Sequence, residues 1–420
     1  MPKYDVIVVG LGPAGAIAAY ELSRQGFRVL AIERSALPMQ KACGGALSVR
    51  AANLIPFDLG DQIEQVIQGV RFTFRGSDPF IVESTEPIAY TTTRDRFDHF
   101  MVLKAQKQGA VILDETEVTD WVQEGREVTV RSVLERWRCR YLILADGMSG
   151  LLRRIGERGD EVWIGVESEI PLPEPKRAGE SLVQIDLGSA PSGFGWLLPK
   201  KDHQTVGIAG SERKVRSAGD LYGEFIESQG ILKEASGQQV HMYRQVALSH
   251  RVPLHEGNAL WAGDAAGLID PFSGEGLYSA LLTGLIAAEV ISNNILEQKE
   301  GLAAYTARIL AETAEEFHAA RRFARLLHRW PETSYRFVES HKWVAELYFE
   351  ILQGRARYDH VWPIVRKEWL HFAWRHWLRP TDAGVVPISR NPLVSFWKKG
   401  SALLFQNDTI ARYLQDRRAH

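Results

Sequence analysis

Three glycines near the N-terminus have the spacing of a dinucleotide-binding loop. Gly10, Gly12 and Gly15 lie between an apolar strand that starts at Tyr4 and a helix of small residues. In such a loop the first glycine permits the turn, the second lets the backbone approach a pyrophosphate, and the third lets helix and strand pack. Glu33 follows Gly15 by eighteen residues at the end of the next strand, where a carboxylate accepts hydrogen bonds from ribose hydroxyls. A carboxylate there would repel a 2′-phosphate, so the pattern predicts FAD or NAD at this site rather than NADP.

Two later segments are placed to complete that site. Residues 262–267, Ala-Gly-Asp-Ala-Ala-Gly, follow an apolar strand and precede an apolar helix. Asp264 can therefore hydrogen-bond ribityl hydroxyls while the next helix N-terminus faces phosphate or flavin. Asp146 and Gly147 end another apolar strand. Each segment alone is also typical of an ordinary strand-end turn, but together they favour FAD.

A second pair of segments carries side chains suited to chemistry on an apolar substrate. Residues 41–48, Lys-Ala-Cys-Gly-Gly-Ala-Leu-Ser, place Cys43 before two glycines that permit close backbone approach to a cofactor. Residues 191–199, Pro-Ser-Gly-Phe-Gly-Trp-Leu-Leu-Pro, place Phe194 and Trp196 on one face of a strand. That face is either an apolar wall for a long hydrocarbon chain or ordinary sheet packing.

The order of these motifs resembles that of the flavoprotein hydroxylases and reductases, whose fold is that of p-hydroxybenzoate hydroxylase. Residues 41–48 and 191–199 narrow the resemblance to the geranylgeranyl reductase family, which saturates the double bonds of isoprenoid chains. In that family the second motif reads Pro-x-x-Tyr-x-Trp-x-Phe-Pro and lines the prenyl tunnel. This chain has Phe194 and Leu198 in place of the tyrosine and the phenylalanine, which keeps the lining apolar but removes one hydroxyl. The resemblance covers roughly residues 1–295 and is much weaker over the tail.

The resemblance implies roles for individual residues. Arg94, rather than Arg96, corresponds to the family's cofactor-contacting arginine, and residues 274–277, Gly-Glu-Gly-Leu, correspond to the stretch beside the isoalloxazine. Cys43 would lie near the site of reduction, where its thiol donates a proton or shapes the pocket; a small buried residue is the alternative. The implied cofactor contacts are Gly10, Gly12, Ala14, Gly15, Glu33, Cys43, Gly44, Ala46, Arg94, Val118, Asp264, Gly276 and Leu277. The implied substrate contacts are Phe194, Trp196, Leu198 and Pro199, and no metal ligand is expected.

The elements that must position these residues show both strand and helix periodicity. The pattern predicts an α/β fold in which a Rossmann-like FAD-binding domain carries an inserted mixed or antiparallel β-sheet substrate domain and a helical C-terminal region. The FAD-binding domain is assigned to residues 1–70, 91–155 and 250–295, the substrate domain to 71–90 and 156–249, and the helical region to 296–420. Residues 277–291, apolar nearly all round, predict a buried helix. The expected helix breaks in the tail are Pro331, Pro363, Pro380 and Pro392.

The resemblance implies an FAD-dependent oxidoreductase that saturates C=C bonds of a geranylgeranyl or related isoprenoid chain. The substrate would be an isoprenoid diphosphate or a prenylated lipid, and NAD(P)H or another reductant would reduce the flavin. An unactivated alkene has no oxygen to polarise, so the site must supply orientation, water exclusion and a proton. A flavin-dependent monooxygenase or halogenase on the same fold is an alternative, because the Trp-x-Trp-x-Ile-Pro wall of halogenases is partly matched. A non-catalytic FAD-containing assembly or membrane-recruitment protein is the second alternative.

The tail is basic and rich in tryptophan. Residues 321–420 hold 18 Lys and Arg against 9 Asp and Glu, whereas the first 320 residues hold 32 against 43. Phe323, Leu326, Leu327 and Trp330 form an apolar stripe among arginines. This helix could lie at a membrane surface, bind a diphosphate or lipid head, or simply pack on the domain with a solvated basic edge. No nucleic-acid-binding motif accompanies the charge, so nucleic acid is not an expected partner.

Two cysteines among 420 residues cannot form a disulfide framework. Cys139 alternates with Trp137 and Tyr141 in a strand and is expected to be core. The sequence has no run of eighteen uninterrupted apolar residues, and an apolar strand follows almost directly after Met1, which leaves no room for a signal peptide. We therefore expect a soluble cytoplasmic protein, with contact at a membrane surface as one role of the tail.

Overall fold

The fold combines two β-sheets with a layer of C-terminal helices. The computed structural model describes residues 3–147, 161–172, 181–231, 240–247 and 253–378. In this part of the chain the strands are β1 (Tyr4–Val9), β2 (Val29–Ile32), β3 (Ala46–Ser48), β4 (Gln65–Phe74), β5 (Ser77–Glu83), β6 (Ala89–Thr91), β7 (Val111–Leu113), β8 (Val118–Glu124), β9 (Glu127–Ser132), β10 (Arg136–Leu144), β11 (Glu161–Pro171), β12 (Ser181–Leu187), β13 (Phe194–Pro199), β14 (His203–Ser211), β15 (Val240–Ala247), β16 (His255–Glu256) and β17 (Ala259–Trp261). The α-helices are α1 (Pro13–Arg24), α2 (Val49–Ala52), α3 (Arg94–Lys107), α4 (Ala218–Ser228), α5 (Leu277–Leu296), α6 (Ala303–Arg329), α7 (Pro331–Ser340), α8 (Trp343–Leu352) and α9 (Tyr358–Leu378).

The first sheet has the parallel core of a dinucleotide-binding domain. Its strand order is β16-β17-β10-β1-β2-β7, and β1 pairs in parallel with both β2 and β10. The antiparallel strands β8 and β9 extend the sheet from β10. Strand β1 is almost entirely buried, as a parallel strand covered on both faces must be. This sheet brings the ends of β1, β10 and β17, and the loops that follow them, to one edge.

The helix after β17 packs tightly against the helix after β1. A Cβ atom at Gly284 of α5 would lie 2.4 Å from the Ala14 carbonyl oxygen of α1, so only glycine allows this approach. Helix α5 is long and apolar enough to cross a membrane by length and composition, but most of it is buried inside the protein. The prediction of a buried helix in this region is therefore confirmed.

The second sheet has the order β15-β11-β14-β13-β12-β4-β6-β3, with β5 on β4. All its pairs are antiparallel except β4 with β12, which makes it a mixed sheet. Parts of this sheet come from segments that the sequence assigns to the FAD-binding domain: β3, residues 65–70 of β4 and Thr91 of β6. Strand β3 is only three residues long and therefore carries too little alternation to be recognised from its sequence.

The C-terminal helices pack on the second sheet. Tyr335, Ala345 and Phe349 share one core with Phe80 and Trp196 of the sheet. The predicted break at Pro331 agrees with the start of α7. The predicted break at Pro363 is wrong because α9 continues through this proline, with Val361, Val365 and Trp369 buried in the core of the helical layer. Pro380 and Pro392 lie outside the described residues.

The apolar stripe of the tail faces the interior of the protein. Phe323 and Leu326 pack in the core of the helical layer, and Leu327 packs against the core below the second sheet. Trp330, at the end of α6, is the exposed member of the stripe. Of the three interpretations of this helix, packing within the fold therefore accounts for most of its apolar side chains. The α/β fold with a mixed sheet and helical C-terminal elements is as predicted, and Cys139 is fully buried, as predicted.

Candidate active site

The glycine-rich loop after β1 leaves open space in front of a helix N-terminus. Gly10 has a φ of +92°, and a Cβ there would lie 2.4 Å from the Ala145 carbonyl oxygen. A Cβ at Gly15 would lie 1.9 Å from the Gly10 carbonyl oxygen, so this residue locks α1 onto the loop. At Gly12 nothing lies within 4 Å of the Cβ position. The first N–H groups of α1 thus face an open cradle that fits a pyrophosphate.

Glu33 is fixed at the side of this cradle. Its carboxylate accepts hydrogen bonds from the backbone N–H of Leu11, at 2.9 Å, and of Ser35, at 3.1 Å. The side chain is buried and lines the same cavity as Gly12. Each carboxylate oxygen has two lone pairs, so the group can still accept hydrogen bonds from ribose hydroxyls.

The loops after β10 and β17 close the other side of the cradle. Asp146, Gly147 and Asp264 all line the cavity. Gly263 has a φ of +63°, and the Lys41 ammonium lies 3.9 Å from the Asp264 carboxylate. Leu277, the first residue of α5, also lines the cavity, so the N-terminus of a second helix faces it. Two helix N-termini and several short polar side chains therefore suit the phosphate and ribityl parts of FAD.

Cys43 lies where the cradle meets a second, apolar part of the cavity. The thiol is partly exposed and lines the cavity. Gly44 packs on the 191–199 motif: a Cβ at Gly44 would lie 2.4 Å from Leu198 Cδ1 and 3.4 Å from Trp196 Nε1. Gly45, at a φ of +72°, packs on Thr92, because a Cβ there would lie 2.0 Å from the Thr92 carbonyl oxygen. The two motifs that narrowed the family resemblance are thus in contact.

Arg94 stands beside the thiol with a fixed orientation. Its Nε and a terminal nitrogen donate to the two Asp98 carboxylate oxygens at 2.8 and 2.7 Å, in a bidentate pair one helical turn apart. The nearby Asp98 and Cys43 favour the charged guanidinium and raise the pKa of Arg94, although burial opposes this. Arg94 lines the cavity, whereas Arg96 points away to Glu64.

The apolar part of the cavity runs between the second sheet and the C-terminal helices. The whole cavity, including the cradle, has a volume of about 1460 Å³. The walls of the apolar part carry uncharged side chains, most of them aliphatic or aromatic. They are Ile67, Val70, Phe72, Phe80, Ile88, Trp163, Val183, Ile185, Leu187, Phe194, Trp196, Leu198, Leu327, Tyr335, Val338, Val344, Ala345, Tyr348 and Leu352. A long hydrocarbon chain matches this lining because burial of apolar surface drives its binding.

A group of buried charges lies behind the Cys43 loop. Lys200, the residue after the motif's last proline, is 1% exposed, and its ammonium donates to the carbonyl oxygens of Gly44 and Thr92, both at 2.8 Å. Burial lowers the pKa of Lys200, although the surrounding carboxylates oppose this. Burial, and next the neighbouring Glu169, raise the pKa of Glu167 to about 8, although Lys200, Arg94 and the Cys43 backbone oppose the shift.

The structure brings most of the sequence-predicted site residues to one cavity. Its walls include Gly10, Gly12, Ala14, Glu33, Cys43, Gly44, Ala46, Arg94, Val118, Asp264, Gly276, Leu277, Phe194, Trp196 and Leu198. Gly15 and Pro199 lie outside the walls; Gly15 packs α1 on the loop, and the Pro199 carbonyl accepts a hydrogen bond from Thr91. The sequence did not point to Glu167, Lys200, Trp163 or the helical wall. Only Lys200 had a signal, its place directly after the Pro191–Pro199 motif.

Comparisons with known proteins identify the family of this chain. The FAD binding domain family matches residues 3–311. The chain is 30% identical over 389 residues to digeranylgeranylglycerophospholipid reductase 1 of Methanopyrus kandleri, which covers 86% of this chain and 99% of that protein.

Solved structures show the same fold. A geranylgeranyl bacteriochlorophyll reductase-like protein from Thermoplasma acidophilum superposes with a TM-score of 0.63 at 22% identity, covering 99% of each chain. A flavin-dependent brominase superposes with a TM-score of 0.70 at 20% identity, covering 90% of this chain and all of the other. The fold is thus shared by enzymes of different chemistry, and FAD is the cofactor of this FAD-dependent oxidoreductase. By its domain match and its reductase relative, the chain belongs to the FAD-dependent geranylgeranyl reductase family.

Proposed function

We propose that this protein saturates C=C bonds of a geranylgeranyl or related isoprenoid chain, carried by a lipid or a diphosphate. The observation that carries the proposal is the continuity of the cavity: the dinucleotide cradle and the apolar chamber are one space, and they meet at Cys43. The named reductase relative acts on a geranylgeranyl lipid, which supports a prenylated substrate.

The apolar walls of the cavity would orient the substrate chain and exclude water from it. One face of β13 lines the chamber, the apolar part of the cavity, with Phe194, Trp196 and Leu198. Water is disfavoured there because rings and methyl groups offer it few hydrogen bonds. A prenyl chain lying along this face would place one double bond beside Cys43. Fixing the alkene in this way supplies most of what an unactivated bond needs from the protein.

Proton delivery is assigned to Cys43. The cradle would hold FAD, which in its reduced form would be the source of a hydride for one carbon of the double bond. The Cys43 thiol gives its proton to the other carbon, and the adjacent Arg94 guanidinium stabilises the thiolate that is left. The C–H bond therefore forms as the S–H bond breaks, and the positive charge of Arg94 balances the new negative charge.

The electron source is proposed to be NAD(P)H or another reductant that meets the flavin transiently. The printed sequence has one Gly-x-Gly-x-x-Gly loop followed by an acidic residue, and that loop is taken by the cradle of FAD. A reductant that docks only during flavin reduction needs no second loop of this kind.

The mass of the product tests the proposed reaction. Dithionite-reduced protein is incubated without oxygen with geranylgeranyl diphosphate, and in parallel with a geranylgeranylated lipid. We expect a gain of two hydrogens per saturated bond in at least one of the two. A product that gains oxygen, and forms only when oxygen is admitted, would overturn the reductase proposal in favour of a monooxygenase.

A further inference from the structure

A buried carboxyl group stands behind the Cys43 loop, in the same row of the sheet as the substrate wall. Trp196 of β13 pairs with Gly207 of β14, and Gly207 pairs with Glu167 of β11. Residues paired across neighbouring strands point to the same face. Trp196 lines the cavity, whereas Glu167 lies outside its walls and is 3% exposed.

Glu167 is almost fully buried and lacks a full set of hydrogen-bond partners. Its Oε2 atom is buried without a hydrogen-bond partner among the described residues. The Cys43 backbone N–H and the Arg94 and Lys200 cations favour the ionised carboxylate, but burial and Glu169 outweigh them. The carboxyl group therefore carries a proton at pH 7 and loses it as the pH rises through about 8.

We propose that Glu167 returns a proton to Cys43 after each C=C bond is saturated. This inference rests on the proposed function, in which every saturated bond leaves a Cys43 thiolate. The O–H bond of Glu167 breaks as the S–H bond of Cys43 forms again, and a solvent proton then restores the carboxyl group. These steps are proton transfers in which nothing is oxidised or reduced, because the electrons for saturation come with the hydride. Glu167 acts through Cys43 and has no place in the cavity wall itself.

The neighbours of Glu167 suit this task. Lys200 holds the Gly44 carbonyl, so the loop that carries the thiol keeps its place against β11 and β13. The charged and titratable groups that interact with Glu167 are Glu169 on its own strand, Lys200 after β13, Arg94 on α3 and Tyr222 on α4. On the flanking strands its backbone partners are Gly207 and His241. The two cations lower the cost of a transient carboxylate after the proton has left.

The test is a comparison of first and later turnovers. Full-length holoprotein with excess dithionite is mixed without oxygen with geranylgeranyl diphosphate, and in parallel with a geranylgeranylated lipid, and saturated bonds are counted by mass spectrometry at pH 6–9.5. In Glu167→Gln we expect the first bond per protein at the wild-type rate, because the thiol already holds its proton. Later bonds should be about 10-fold slower or more at pH 7. Wild-type later turnovers should slow as the pH rises through about 8.

Two matched variants separate proton return from a structural effect. Glu167→Asp keeps a carboxyl group and should recover part of the later rate and the step with pH. Glu169→Gln should keep fast later turnovers but move the step to lower pH, because a negative charge that raises the pKa of Glu167 is gone. A Glu167→Gln protein that slows first and later bonds equally, or keeps the wild-type pH profile, overturns the relay alone. Wild-type protein that saturates no chain overturns the proposed function and the relay with it.

A second readout does not depend on turnover. Iodoacetamide alkylation of Cys43 in the substrate-free holoprotein, followed by peptide mass spectrometry, reports the formation of the thiolate; the other thiol, Cys139, is fully buried. Ionised Glu167 disfavours a neighbouring thiolate, so alkylation should begin at lower pH in Glu167→Gln than in the wild type. Identical alkylation profiles would show that the two groups are not coupled and would overturn the relay.

Discussion

At the scale of single residues, the proposed chemistry depends on one partly exposed thiol. Cys43 lines the cavity between the cradle and the apolar chamber, and Arg94 faces it with its orientation fixed by Asp98. Cys139, in contrast, is fully buried, and burial raises the pKa of its thiol far above the usual range. The buried Cys139 therefore serves as an internal control for the proton-donor role proposed for Cys43.

Replacing Cys43 by serine should slow prenyl reduction while FAD stays bound. A hydroxyl is a far weaker acid than a thiol, so we expect a loss of about 100-fold or more at pH 7. Product formation is measured by mass spectrometry and FAD content by absorbance. The matched variant Cys139→Ala should keep the activity and lose only stability. Full activity in Cys43→Ser would remove the catalytic role of this thiol.

His328 should make the protein less stable in mild acid. Burial, and next Lys214, lower the pKa of His328 to about 4, and its ring packs 5.3 Å from the Trp163 ring. Folding favours the neutral imidazole. The stability is therefore unaffected by the titration of His328 above pH 6.5, and the free energy of unfolding falls progressively as the pH drops from 6.5 to 4. The expected loss between pH 7 and pH 5 is about 2 kcal/mol.

Thermal unfolding at the two pH values tests this effect. His328→Gln should remove the part of the acid destabilisation that comes from this residue. His318→Gln, on the exposed face of the same helix, is the control and should behave as the wild type. Equal pH dependence in His328→Gln and the wild type would contradict the assignment.

At the scale of elements, the substrate wall depends on a glycine in the neighbouring strand. A Cβ at Gly207 would lie 2.4 Å from two ring atoms of Trp196, so the indole can lie flat only because β14 has no side chain there. Gly207→Ala should displace the ring, destabilise the protein by about 1–3 kcal/mol and weaken prenyl binding. FAD affinity should not change.

The control for this variant is another glycine-to-alanine change. Gly223 lies inside α4 with nothing within 4 Å of its Cβ position, so Gly223→Ala should raise stability by about 0.5–1 kcal/mol. Both stabilities are measured by denaturant unfolding, and prenyl binding by flavin fluorescence. Unaltered prenyl binding in Gly207→Ala would contradict the role of Trp196 as a wall.

The wall that α6, α7 and α8 form on one side of the chamber should limit the length of the bound chain. Ala345 of α8 is buried and lines the chamber beside Tyr335 and Tyr348. Ala345→Trp should fill part of the chamber and reduce activity on geranylgeranyl substrates more than on shorter geranyl ones. Glu346→Trp adds the same bulk on the exposed side of α8 and should leave the preference unchanged. Equal losses for both chain lengths in Ala345→Trp would argue against this wall.

At the scale of the whole molecule, the sequence predicts the cofactor cradle much better than the chamber. The glycine loop, Glu33 and Asp264 each lie at a strand end, and strand ends of a parallel sheet meet at one edge, so spacing alone brings them together. The chamber joins β4, β12 and β13 to α6–α8, which are far apart in the sequence. Only β13 carries a motif, the 191–199 segment with Phe194, Trp196 and Leu198; the apolar residues of the other elements look like those of any protein core.

The buried charges were also beyond the reach of the sequence. Glu167 lies in an alternating strand, where a charged residue is expected to face water, and Lys200 lies in the connection between β13 and β14. They are buried because the Cys43 loop folds over them, a long-range contact that local patterns do not encode. The amphipathic pattern of α6 fits either a membrane surface or packing within the fold, and the structure shows its apolar stripe packed in the helical layer.

In the proposed reaction, electrons pass from reduced FAD directly to a prenyl double bond. The most direct measurement is the absorbance of the reduced holoprotein after anaerobic mixing with a geranylgeranylated lipid or with geranylgeranyl diphosphate. We expect the spectrum of oxidised flavin to return and one C=C bond to be saturated per FAD. Flavin that stays reduced with both substrates until oxygen is admitted would contradict it.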